Sequence, residues 1–122
     1  MANSTHTYAP DDRNEAIHIN INGALTPREQ ATVSVFDSGF ILGDGIWEGL
    51  RVHNGAIPFL GRHLKRLWEG AKALELDMGM SQQELTDRLF QTLEANQMTD
   101  HVHIRLMVTR GIKSTPYQDP AV

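Results

Sequence analysis

The chain has no cysteine among its 122 residues, which excludes a disulfide framework, thiolate metal ligands and a cysteine nucleophile. It has no apolar run of the length needed to span a bilayer, and its N-terminus lacks the hydrophobic segment of a secretory signal. Nor does it carry an excess of positive charge. The formal net charge is −4 with histidines neutral, so no broad basic field recommends nucleic acid as a partner. These absences leave a cytoplasmic globular protein as the expectation, with neither membrane nor nucleic acid among its partners. Its hydrophobic share of 40% and its length suffice for one domain with a single core.

What is present is a patterned chain. Residues 1–15 show no periodicity and read as a mobile N-terminal segment. Ile17, Ile19 and Ile21 then alternate with polar neighbours, and Asn22-Gly23 offers a tight hairpin turn. Val33 and Val35 suggest the second strand. Alternation returns from Ile46 to His53, and Asn54-Gly55 is a second hairpin turn. Leu60, Leu64, Leu67, Trp68, Ala71 and Leu74 form a stripe at helical spacing. Ser81 with Glu84 is a capping box that opens a second helix, which runs to about Asn96 with Leu85, Leu89 and Leu93 inward. The stretch "HVHIRLMVTRG" alternates again. Strands, two helices and a strand predict an α+β domain over residues 16–111, an antiparallel sheet with two helices packed on one face.

Such a sheet has a second face. Ile46, Leu50 and Val52 point one way and Trp47, Gly49, Arg51 and His53 the other. In the last strand Val102, Ile104, Leu106 and Val108 oppose His101, His103, Arg105, Met107 and Thr109. One reading is a solvated polar face. The other is a binding face: Trp47 and Met107 are poor choices for water, and Gly49 weakens a strand unless something approaches its backbone. Two arginines there suit a carboxylate, whose oxygens match the guanidinium fork.

Weaker constellations have plainer readings. His101 and His103 share one side of a strand, but no third ligand accompanies them, so they read as a polar pair and no metal site is expected. Gly43-Asp44-Gly45 lacks the lysine and spacing of a phosphate loop and reads as a tight turn. Glu48 falls on the aliphatic side, either hydrogen-bonded there or at the sheet's rim; the structural role is the expectation. Nothing resembles a nucleophile elbow.

The segments "FDSGFILGDGIWEGLRVHNG", "HLKRL" and "IRLMVTRG" together resemble, in order and spacing, the N-terminal small domain of class IV (fold type IV) pyridoxal-phosphate aminotransferases. The resemblance spans roughly residues 16–116. It implies a homodimeric, two-domain enzyme with pyridoxal 5'-phosphate held between domains. Residues 112–122 would then begin an interdomain linker, and the larger cofactor domain would lie outside this chain. By resemblance, Arg66 would bind the cofactor phosphate and Trp47 would wall the substrate pocket with Phe40 and Leu42. Arg105 and Arg51 would meet the substrate carboxylate. On a helical wheel Arg66 lies opposite the leucine stripe, which otherwise reads as a surface arginine.

Two departures matter. D-amino-acid members follow "TRG" with an arginine and a nearby histidine that hold the carboxylate, whereas here the stretch is "IKSTPYQDP". The family's Schiff-base lysine also lies downstream, and none of Lys65, Lys72 and Lys113 matches it. No catalytic residue is therefore assigned, and the chain alone is predicted inactive. The implied reaction moves an amino group between an amino acid or amine and a 2-oxo acid. An aminodeoxychorismate lyase-type reaction and a non-catalytic association module are the alternatives. Substrate handedness and the subunit served by residues 112–118 stay open.

Overall fold

A computed structural model describes residues 10–113. Strand β1 (His18–Ile21) turns at Asn22 (φ 54°) and Gly23 (φ 89°) into β2 (Ala24–Pro27). Two successive positive φ values are what a two-residue hairpin of right-handed twist requires. That turn sends the chain straight back, so the partner strand is Ala24–Pro27 and not the segment around Val33 and Val35. Those two valines lie in irregular backbone after a short 3-10 turn (Arg28–Gln30) and are exposed.

A short helix, α1 (Ser38–Leu42), adds a third helix to the expected two. The Asp37 carboxylate accepts from the Gly39 N–H at 2.8 Å to open it, and Gly43 at φ 67° closes it in the left-handed conformation. Strand β3 (Gly45–Val52) follows and pairs antiparallel with β4 (Val102–Thr109), setting Trp47 opposite Met107, Gly49 opposite Arg105 and Arg51 opposite His103. Between these strands run α2 (Leu60–Ala73) and α3 (Gln82–Ala95). Ser81 caps α3 as its sequence predicts, its hydroxyl accepting from the Glu84 N–H at 3.1 Å.

Both long helices lay their leucines on the aliphatic face of β3 and β4. Leu50 and Val52 pack with Leu89 and Leu93, while Leu64, Leu67 and Leu85 form an adjoining cluster with Ile46, Leu106 and Val108 at its margin. Burial of each such side chain stabilises the fold by about 1.5–3 kcal/mol. The α+β class stands, with antiparallel pairing throughout, but the sheet is in two pieces that share no ladder. The β1–β2 hairpin is instead held to the end of α3 by side chains. Asn96 accepts from the His18 N–H at 2.7 Å and donates to the His18 carbonyl at 2.9 Å, and Asn20 donates to Thr92 Oγ1 at 3.1 Å.

The expected N-terminal lead-in has local structure where it is described. Asp12–Asn14 form a 3-10 turn, and Arg13 donates to the carbonyls of Asp100 and His101 at 2.9 and 2.8 Å. Residues 1–9 of that segment, and 114–122 of the expected linker, lie outside the described residues.

Candidate active-site wall and anion cradle

The open face of β3 and β4 carries the side chains the alternation assigns to it. Trp47 is 56% exposed, and the Arg105 guanidinium stacks over its ring at 4.1 Å from the centroid. Gly49 has a specific reason to lack a side chain. A Cβ there would sit 3.0 Å from His103 Cε1 and 3.7 Å from Trp47 Cζ3, so the imidazole already lies across its backbone. Arg51, exposed, stands opposite His103 along the ladder, and Met107 opposite Trp47 is 61% exposed. Phe40 and Leu42, 69% and 48% exposed, project from α1, which packs at Gly39 against Thr109 at the end of β4, and Leu42 lines a cavity with Asp44, Leu74, Glu75 and Arg110 at the end of α2.

Arg66 is elsewhere. Glu48, on the helix side of β3 and 3% exposed, receives Arg66 Nε at its Oε1 and Arg66 Nη2 at its Oε2, both at 2.6 Å. His63 Nδ1 lies 2.8 Å from Glu48 Oε2. The Arg66 hydrogen bonds, helped by His63 and opposed by burial, lower the Glu48 pKa from its usual 4.5 to about 2. Glu48 thus has the structural role its position predicts. Arg66 flanks the leucine stripe and reaches back to the strand, and does not oppose the stripe as the wheel suggests. Its side chain remains 71% exposed, and Nη1 has no hydrogen-bond partner among the described residues. The body of β3 therefore separates Arg66 from Trp47, Arg51 and Arg105.

His63 has no motif to mark it in the sequence, although its spacing of three from Arg66 puts both on one flank of α2. The ion pairs at the Gly43-Asp44-Gly45 turn are equally unmarked. Arg110 Nε donates to Asp44 Oδ2 at 2.7 Å, and Lys113 Nζ approaches the same oxygen at 3.9 Å. The expectation for Lys113 is a place in a trailing loop, but its side chain is only 5% exposed, drawn in by Asp44. Lys65 and Lys72 are exposed as expected.

His101 corrects the strand-pair reading. It precedes β4 with φ 53°, so it does not alternate with His103, and the exposed imidazole turns towards Asp100. Among the described residues no cluster of three or more His, Asp or Glu side chains could hold a metal ion. No described helix is long and apolar enough to cross a membrane.

This arrangement has known counterparts. Residues 45–122 match the family model for amino-transferase class IV, and the chain belongs to that family. Branched-chain-amino-acid aminotransferase-like protein 1 of Arabidopsis thaliana is 46% identical over 101 residues, covering 83% of this chain and 18% of that protein. D-alanine aminotransferase of Bacillus licheniformis is 36% identical over 90 residues, or 74% of this chain and 31% of the relative. The crystal structure of the T.th. branched-chain amino acid aminotransferase, complexed with N-(5'-phosphopyridoxyl)-L-glutamate, superposes with a TM-score of 0.74 at 29% identity. That match covers 82% of this chain and 35% of the solved one. The chain thus spans a third or less of the length of these two curated relatives.

Proposed function

We propose that the chain is the small domain of a pyridoxal-phosphate aminotransferase that moves an amino group between an amino acid or amine and a 2-oxo acid. The observation that carries this reading is Arg66, fixed by two 2.6 Å bonds to a buried carboxylate yet 71% exposed. A guanidinium oriented in advance, with one nitrogen facing outward, fits a phosphate monoester. Glu48 offsets its charge, so further donors to the phosphate would come from the larger domain.

When bound, pyridoxal phosphate supplies the electron sink that makes the substrate's α-proton labile. This chain's residues bind and orient. Trp47, Phe40 and Leu42 form an apolar wall, and Arg105 with Arg51 meets the substrate carboxylate. Arg66 and Trp47 lie on opposite faces of β3, so a ligand touching both would have to reach around that strand. A lysine able to hold the coenzyme would belong to the larger domain, and we infer that this chain alone would not transaminate. A cytoplasmic homodimer completes the proposal.

Replacement of Arg66 by Ala in the full-length protein tests it. We expect coenzyme affinity to fall about 10- to 100-fold, the loss of one charge-assisted contact. Unchanged affinity with weaker assembly would instead identify an association module. Amino exchange with 2-oxoglutarate, measured against pyruvate release, separates a transaminase from a lyase.

A further inference from the structure

We infer that Arg110 is a positioning residue that fixes the apolar wall, and through it the affinity for the amino donor; this rests on the aminotransferase reading above. Its side chain is only 13% exposed. Nε and Nη2 donate to the two oxygens of Asp44 at 2.7 and 3.4 Å, Nη2 also donates to the Leu74 carbonyl at 2.6 Å, and Nη1 donates to the Glu75 carbonyl at 3.2 Å. Its backbone N–H adds a bond to the Asp44 carbonyl at 3.3 Å. Leu74 and Glu75 lie just beyond α2, where helical carbonyls run out of partners and a cation is favoured.

One side chain thus joins the turn between α1 and β3, the end of α2 and the end of β4. Those elements carry Phe40 and Leu42, Trp47, Arg66 and Arg105. Close packing leaves this junction little play. A Cβ at Gly39 would collide with the Thr109 side chain, and one at Gly45 would come 2.7 Å from the Val108 carbonyl. Asp44 stands two residues after α1 and three before Trp47, so whatever fixes Asp44 sets the wall on both sides of it. Arg66 is held independently by Glu48, which His63 also meets, two turns from the end of α2. Loss of Arg110 would loosen the wall before it loosened the phosphate anchor.

The test compares Arg110→Lys, Asp44→Asn and the double variant in the full-length enzyme. Lysine keeps the charge but lacks the planar fork that makes four bonds at once. We expect the KM for the amino donor to rise about tenfold, with kcat and coenzyme affinity changed less than about twofold. The double variant should cost less than the sum of the two single ones, because both remove the shared Asp44–Arg110 pair while the bonds to Leu74 and Glu75 belong to Arg110 alone. A readout independent of activity is acrylamide quenching of Trp47 in a background where Trp68 and every other tryptophan of the full-length enzyme are replaced by Phe, which should increase in both single variants. An unchanged KM with only a lower Tm would overturn the inference, as would coenzyme affinity falling with KM, or unchanged quenching. A wild-type enzyme that transfers no amino group would sink the aminotransferase reading, and the quenching comparison would still decide the role of Arg110.

Discussion

The Arg105 guanidinium lies over the Trp47 ring, 4.1 Å from its centroid, so cation and aromatic wall form one unit. Stacking occupies the face of the guanidinium and leaves its edge N–H groups for an anion. Arg105→Ala in the full-length protein should raise the KM for amino donors about 10- to 100-fold with coenzyme affinity unchanged. Arg105→Lys should recover little, since an ammonium replaces neither the stack nor the fork. Steady-state kinetics beside a coenzyme titration decides the matter, and a full lysine rescue would refute the stacked-fork account.

Glu48 makes stability depend on acid. Its pKa is lowered from 4.5 to about 2 by Arg66 and His63, so the folded state favours the ionised form. Such a group contributes stability that is fully present above the usual value and is lost as pH falls through the lowered one. The urea midpoint should therefore drop between about pH 4.5 and 2, and Glu48→Gln should flatten that slope. At neutral pH the substitution should cost about 2 kcal/mol, held below the full equivalent of the shift by water around the exposed Arg66. A wild-type slope that Gln leaves untouched would rule this out.

Gly39→Ala should detach α1 from β4. The added methyl meets the β-branched Thr109 side chain at both its Cγ2 and its Cβ, so the two elements must move apart. We expect a loss of about 2–3 kcal/mol in chemical denaturation, typical of overpacking at a tight contact. Thr109→Ser, which removes the colliding methyl and keeps the hydroxyl that accepts from the Gly111 N–H, should restore part of it. No restoration would mean the clash lies elsewhere.

Gly49 and His103 should show a change of sign. Alanine at 49 approaches His103 Cε1 to 3.0 Å, so Gly49→Ala should cost about 1 kcal/mol in the wild type. Once His103→Ala has cleared the space, the same change should stabilise by about 0.5 kcal/mol, because alanine suits a strand better than glycine does. A double-mutant cycle measures both, and additivity would exclude the contact.

What the sequence discloses follows from the range of each signal. Strand alternation repeats every two residues, so Leu50 and Val52 separate cleanly from Trp47 and Arg51. The Ser81 cap is complete within four residues and reads directly. The helix Ser38–Leu42 is too short to build a period, and its Asp37 cap looks like any polar residue before a glycine. The Asn22-Gly23 turn is legible, yet Val33 and Val35 draw the partner strand away from the less apolar Ala24–Pro27. Glu48, His63 and Arg66 meet only because α2 lies over β3 at one particular height. His63 and Arg66 stand 15 and 18 residues from Glu48, beyond the reach of any local periodicity. Arg66 is assigned from the motif around it, and the buried carboxylate that aims it appears only in three dimensions.

The Asn96 carboxamide answers both the N–H and the C=O of His18, as a neighbouring strand would. It works as a splint: the N-terminal ribbon is lashed to the back of α3 and is not woven into the ladder that bears the wall. Opening the ribbon would therefore break no hydrogen bond of the β3–β4 ladder.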